Sequence, residues 1–181
     1  MPCLYSVAAN FLQSLVWFAF TLILHNTNLA YFMFTIDFPE FSFKVKTENN
    51  KRLIFDVVRK KYVVITPEEW VRQNILHYLV YIKTYPLNFI SVEHALKLNG
   101  LNKRADILIY NAHYAPALII ECKKPEIVLN QNIFSQAARY NLTLKVAFIA
   151  ITNGTENMLA KVDLENETHE FLNDFPAFET L

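Results

Sequence analysis

Pro116-Ala117-Leu118-Ile119-Ile120-Glu121-Cys122-Lys123 is the stretch whose reading decides the fold. An apolar run drives a buried strand up to a charged triplet. Side chains on a strand alternate between faces, so Glu121 and Lys123 point one way and Cys122 the other. A carboxylate and an ammonium are thus held side by side at the end of a core strand. Unpaired charge in such a place costs several kcal/mol or shifts its pKa, so the triplet asks for a chemical reason.

The segment before it supplies a partner. Arg104-Ala105-Asp106-Ile107-Leu108-Ile109-Tyr110 reads as a second strand, joined to the first by the polar connection at residues 111–115. Two runs joined in this way form an antiparallel hairpin. With the turn centred between His113 and Tyr114, Asp106 lies directly opposite Glu121. One strand further back, Ser91-Val92-Glu93-His94-Ala95-Leu96-Lys97-Leu98 precedes the turn Asn99-Gly100-Leu101-Asn102. Centred between Asn99 and Gly100, that turn places Glu93 opposite Asp106. The expectation is a row of three carboxylates across three adjacent strands. His94 neighbours Glu93 on the opposite face and reads as structural.

Directly opposed residues have Cβ atoms roughly 5 Å apart, where like charges repel. A hard divalent cation removes the conflict, because Mg²⁺ takes one or two protein carboxylates, keeps waters and binds substrate phosphates. Lys123 beside it would neutralise a phosphate or orient the attacking water. The pattern points to metal-assisted phosphodiester hydrolysis. A slip of one residue in either register would send a side chain to the other face.

These residues resemble a family. Asp106, the Glu-x-Lys of Glu121 and Lys123, and Gln136 with Tyr140 on a following helix are similar to the PD-(D/E)XK nuclease superfamily. More narrowly, residues 36–175 resemble the N-terminal nuclease domain of type I restriction enzyme R subunits, particularly its short stand-alone relatives. The resemblance rests on Arg59-Lys60-Lys61, Thr66-Pro67-Glu68-Glu69-Trp70-Val71-Arg72-Gln73, Arg104-Ala105-Asp106, Glu121-Cys122-Lys123, Gln136-Ala137-Ala138-Arg139-Tyr140 and Thr152-Asn153-Gly154. Ala105 stands where the superfamily name has proline. The resemblance implies Asp106, Glu121, Lys123 and Gln136 as catalytic residues. It implies a Mg²⁺ ion, with Mn²⁺ as the alternative, held by Asp106, Glu121, Glu93 and the Cys122 backbone carbonyl. Arg104, Lys124 and Tyr140 would meet the substrate. DNA is the implied partner, together with methyltransferase, specificity or translocase subunits.

Composition narrows the field. The chain has 181 residues, zero formal net charge and a mean hydropathy of +0.17. That length suits one domain with a sizeable core, and a neutral chain that binds nucleic acid must do so through a local basic patch. Two cysteines, Cys3 and Cys122, make neither a disulfide framework nor a zinc site. Two glycines, Gly100 and Gly154, exclude a Gly-rich phosphate-cradling loop of either common type. No nucleotide cofactor is therefore expected on this chain. The expectation is a nuclease domain acting alone or beside a separate translocase.

Residues 1–35 form an apolar extension. Residues 11–24 are almost wholly apolar but fall short of the ~20 residues that span a bilayer. They lack the basic flank of a signal peptide, and no Lys or Arg precedes Lys44. A weak membrane anchor, a buried helix and a non-native upstream extension compete. The resemblance begins just after Met33, which favours Met33 as the natural start. A cytoplasmic location is expected, with weak membrane association through residues 11–24 as the alternative.

The rest reads in order. Residues 37–46 alternate as a half-exposed strand or extended segment, residues 52–56 read as a further strand, and Tyr62-Val63-Val64-Ile65 is a short apolar run. Arg59-Lys60-Lys61 between them reads as a solvated loop, or as a contact to phosphates. Thr66 caps a helix, Pro67 suits its first position and Glu69 completes a capping box. Val71, Ile75, Tyr78, Leu79 and Ile82 form its apolar stripe, off which Arg72, Gln73 and Lys83 lie. The helix should end before Pro86. Lys97, Lys103 and Arg104 flank the three-strand meander. Asn130 caps a second helix over residues 131–141, with Ile133, Gln136, Ala137 and Tyr140 on one face. Residues 145–152 read as a buried strand parallel to its neighbour, and residues 160–164 and 168–172 as a terminal hairpin.

The expected fold is α/β (α+β), a restriction-endonuclease-like core over residues 36–181. It has a mixed sheet with an antiparallel three-strand meander, flanking helices and one parallel strand. The expected activity is a Mg²⁺-dependent DNA endonuclease in a restriction or DNA-defence system. The alternative is a non-cleaving module that binds DNA or a partner.

Overall fold

A computed structural model describes residues 36–98 and 101–181. Residues 1–35, with the apolar stretch and Cys3, and the turn at Asn99-Gly100 lie outside the described residues.

Three short strands open the domain: β1 (Val45–Glu48), β2 (Lys51–Asp56) and β3 (Lys61–Val64), paired as an antiparallel meander. The alternating segment becomes a strand only at Val45, which faces Ile54, although the Phe55 amide already donates to the Lys44 carbonyl at 2.9 Å. Its aromatic residues instead pack on the first helix, Phe43 against Trp70 and His77 and Phe41 against His77. The period-two pattern there serves side-chain packing and not a ladder.

Helix α1 (Pro67–His77) begins as the sequence predicts, with the Thr66 hydroxyl accepting from the Glu69 amide at 3.0 Å and proline in the first turn. The capping box is not completed. Glu69 turns its carboxylate to Arg59, Arg72 and Gln73. A π-helical turn, Tyr78–Ile82, follows, and the Lys83 amide donates to the Tyr78 carbonyl at 3.0 Å. Chain reversal is completed at Thr84, whose φ is +58°.

The six-stranded sheet follows: β4 (Ile90–Leu98), β5 (Leu101–Tyr110), β6 (Pro116–Cys122), β7 (Phe148–Thr152), β8 (Asn157–Asp163) and β9 (Thr168–Leu172), in spatial order β4 to β9. All neighbours are antiparallel except β6 and β7. Helix α2 (Gln131–Leu144) crosses between those two, as a parallel pair requires. Asn130 caps it, accepting from the Ile133 amide at 3.1 Å. The buried strand after it is shorter than read, because Lys145 ends the helix in a left-handed conformation and β7 starts only at Phe148.

The helices flank the sheet. Val71, Ile75 and Leu76 of α1, with Leu79 of the π-helical turn, pack with Ile107, Ile109, Leu118, Ile120 and Cys122 on one face. Phe134 and Ala137 of α2 pack with Leu108, Ile119, Ile149 and Ile151 on the other. Strands covered on both faces carry continuous apolar runs, which is why β6 and β7 show them. Gly154 closes the β7–β8 turn at φ +92°, and a Cβ there would come within 2.6 Å of Ile36.

Among the described residues, no helix is long and apolar enough to cross a membrane.

Ile120 is fully buried at the centre of the α1-side core. Ile120→Ala is expected to cost about 2–5 kcal/mol in urea unfolding. The same truncation at exposed Val128 should change stability by less than about 0.5 kcal/mol.

Candidate acidic site at the strand ends

The site is built where β5 and β6 leave the core. Ile107 pairs with Ile120, and Asp106 and Glu121 take the next facing positions, one step beyond the last ladder pair. Glu121 and Lys123 share a side, with Lys123 Nζ 2.8 Å from Glu121 Oε1. Cys122 points the other way and is fully buried in the α1-side core. Gln136 and Ala137 from α2 close on Glu121 and Lys123 around a cleft of about 80 Å³, whose wall Ile133 completes. Such a space holds a few waters.

Asp106 does not stand parallel to Glu121. Its Oδ2 accepts from the Cys122 amide at 2.7 Å, and its Oδ1 receives Arg72 Nη2 at 2.6 Å. Its charge still reaches Glu121. Burial first, and then Asp106, raise the Glu121 pKa above the ordinary carboxylate value, against the opposing pull of Lys123. Lys123 loses some affinity for its proton through burial, but the hydrogen bond and charge of Glu121 outweigh that and its pKa rises. Both directions are consistent. The ammonium is held charged by an acidic neighbourhood, and the carboxylate is crowded by another carboxylate in a site poor in water. Glu68, half-exposed on the first turn of α1, adds to the same negative field.

Glu93 lies elsewhere. The ladder passes from Val92↔Ile107 to His94↔Ala105 and skips Glu93, whose φ is +53°. A kinked residue redirects its side chain, and the Glu93 carboxylate goes to Arg59 Nη1 at 3.1 Å. The row of three parallel carboxylates is therefore not formed. Among the described residues no three Asp, Glu, His or Cys side chains stand as one ligand set.

Behind the cleft runs an ionic network that the helical stripe did not reveal. Asp56, wholly buried, accepts from the Val58 and Arg59 amides at 2.8 and 2.6 Å, from Arg59 Nε at 2.6 Å and from Gln73 Nε2 at 2.8 Å. Glu69 binds Arg59, Arg72 and, at 2.8 Å, Gln73. Arg72 spans Glu69, Glu68 at 3.4 Å and Asp106 at 2.6 Å. Five carboxylates, counting Glu93, thus share two guanidinium groups. Arg59 is not a solvated loop residue but a buried link. The available signal was the spacing of Glu68 with Arg72 and of Glu69 with Gln73, four apart on one helix.

Arg104, within β5, and Lys124, two residues past β6, are exposed. Tyr140 lies in α2, with its side chain outside the described residues, as are those of Lys97 and Lys103. A larger cavity of about 510 Å³ lies at the opposite end of the sheet, before β7, among Lys145, Lys161, His169 and Glu170. It contains none of the candidate residues. In a sheet with parallel strands, ligands gather at the carboxyl ends, where Glu121 sits.

A two-helix, mixed-sheet domain with a partly buried acidic pair on neighbouring strands is the class that fold and site define. Residues 67–176 match the family model described as type I restriction enzyme R protein N terminus (HSDR_N), and the chain belongs to that family. It is also similar to a fragment of a putative HsdR subunit of a type I restriction enzyme from Vibrio vulnificus YJ016. There the identity is 22% and the TM-score 0.38, over 50% of this chain and 19% of that one. The chain thus spans about a fifth of that subunit's fragment. No curated protein matches it.

Two outcomes follow from the electrostatics. Arg72 is buried among three carboxylates, so Arg72→Met should cost about 3–5 kcal/mol in chemical unfolding, because it strands buried charge. Glu121 carries the opposite sign. Its folded pKa is raised, so the folded state holds more protons than the unfolded one between the two values, and stability falls as pH climbs through that window. Glu121→Gln should therefore melt at or above the wild-type temperature at pH 7, with the difference closing below about pH 4, where the unfolded carboxyl is also protonated. A Gln variant less stable at pH 7 would contradict this.

Proposed function

We propose that the chain is a divalent-cation-dependent DNA endonuclease of the PD-(D/E)XK type, serving a restriction or DNA-defence system. The observation that carries this reading is the Glu121–Lys123 pair at 2.8 Å, on the carboxyl end of a core strand and in one cleft with Gln136. Membership of the R-protein N-terminal family supports the restriction setting.

The residues present fit a hard cation. Mg²⁺ needs only one or two protein carboxylates and keeps water elsewhere. Asp106 and Glu121 supply such a pair, and the raised pKa of Glu121 marks negative crowding that a cation would relieve. The Cys122 carbonyl would complete the protein's share, and Glu93 would join only on leaving Arg59. Mn²⁺ has the same oxygen-ligand preference and would serve in place of Mg²⁺. When bound, the ion polarises the scissile phosphate and lowers the pKa of a water.

The chain's own groups do the rest. Lys123, held charged by its acidic neighbours, faces the cleft and would offset charge developing on a phosphoryl oxygen. Gln136 would orient the phosphate or the attacking water. Arg104 and Lys124 present cations at the rim for the DNA backbone, where contacts fix position without reading sequence. Tyr140 follows Gln136 by one helical turn and would line the substrate side.

A second reading has its own observation. Both Asp106 oxygens already have donors, Arg72 and the Cys122 amide. A site closed in this way would suit a module that grips DNA, or a methyltransferase, specificity or translocase partner, without cutting.

Supercoiled plasmid incubated with the protein and Mg²⁺ separates the two. Cleavage is expected, to be lost on chelation and reduced at least about 10²-fold in Glu121→Gln and Lys123→Met, both checked for fold by circular dichroism. Salt-sensitive DNA binding with no cleavage in Mg²⁺ or Mn²⁺ would favour the binding module.

A further inference from the structure

Arg72 occupies an unusual position. It is 5% exposed, and its guanidinium spends Nη1 on Glu69 and Nη2 on Asp106, with Glu68 at 3.4 Å. Its Nε is buried and has no partner among the described residues. A buried arginine that leaves a donor unpaired is not arranged for its own hydrogen bonding alone. What the fork achieves is to tie α1 to β5 at Asp106. Behind it Glu69 is itself fixed by Arg59 and Gln73, which are anchored on Asp56. The chain of contacts runs from wholly buried Asp56 through two arginines to Asp106, which is only partly buried.

Asp106 is thereby gripped from two sides. Arg72 holds Oδ1, and the Cys122 amide, on the strand that carries Glu121, holds Oδ2. Each carboxylate oxygen has two lone-pair directions, so one donor on each leaves acceptor capacity. The ladder is broken beside Asp106, at Glu93, so pairing of β4 with β5 does not fix this residue locally.

We infer that Arg72 is a positioning residue. Its fork, braced by Glu69, sets the Asp106 carboxylate in the one orientation from which it shares a divalent cation with Glu121. This rests on the proposed function and adds to it which residue aims the ligand. It also explains why an arginine is used. A lysine supplies the charge but not a rigid fork that meets two carboxylates at once. Residues one step behind a metal ligand affect affinity about 10–100-fold when lost.

The test is Mn²⁺ binding by titration calorimetry, with no DNA present. Wild-type protein is expected to bind the ion. Arg72→Lys, which keeps the charge, should weaken binding at least about tenfold, and Glu69→Gln, which loosens the brace, by a smaller factor. Leu79→Ala, a core truncation in the π-helical turn that follows α1, should lower the melting temperature and leave Mn²⁺ affinity unchanged. If Arg72→Lys does not fold, Glu69→Gln decides. Wild-type affinity in the folded variants overturns the positioning role alone, whereas a wild-type protein that takes up no Mn²⁺ overturns the metal-dependent reading together with it.

Discussion

The ion pair between Arg72 and Asp106 is the contact on which the rest of the molecule depends. Helix α1 lies between the small meander and the large sheet, so neither of its sides faces water, and from Glu69 to His77 every residue is buried. Charge on such a helix has to be neutralised inside the protein. Arg72 does this by reaching across to Asp106 on β5, and Glu69 does it by pairing with Arg59 and Arg72. Removing one member leaves its partners charged in a poor solvent, which is more costly than never having had them. The network therefore fixes where α1 sits on the sheet, and with it the position of the acidic strand ends.

That constraint also sets the character of the site. Glu121 is crowded by Asp106 in a partly dry cleft and balanced only by Lys123. A protein selected for stability alone would gain by replacing it. Groups whose environment opposes their charge cluster where chemistry is done. The neutral chain shows no excess of basic charge overall, and Arg104 and Lys124 are exposed.

Much of the fold was legible. Thr66 and Asn130 announced both helix starts because short polar side chains satisfy free amides there. The registers read for β4 with β5 and for β5 with β6 were correct beside the site, where Ile107 faces Val92 and Ile120, although β5 and β6 reach theirs through a register shift between Ile109 and Tyr110 that the sequence did not show. The double-sided burial of β6 and β7 was written in their apolar runs. Other features were not legible. Arg72 and Gln73 lay off the apolar stripe of α1, and one sequence does not show which carboxylates they meet there. Arg59 was assigned to a loop for the same reason. Glu93 shared the register of Asp106, but a left-handed backbone at a non-glycine residue has no sequence signature, and it sent that carboxylate to Arg59. The aromatic alternation before β1 imitated a strand while packing against Trp70 and His77.

The most direct measurement is diffraction from crystals grown with Mn²⁺, with data collected at the manganese absorption edge. The account predicts one anomalous peak between Asp106 and Glu121, within about 2.0–2.3 Å of an oxygen of each, with Arg72 still bonded to Asp106. A peak elsewhere, or two carboxylates that remain tied to Arg72 and Lys123 in saturating metal with no ion between them, would contradict it.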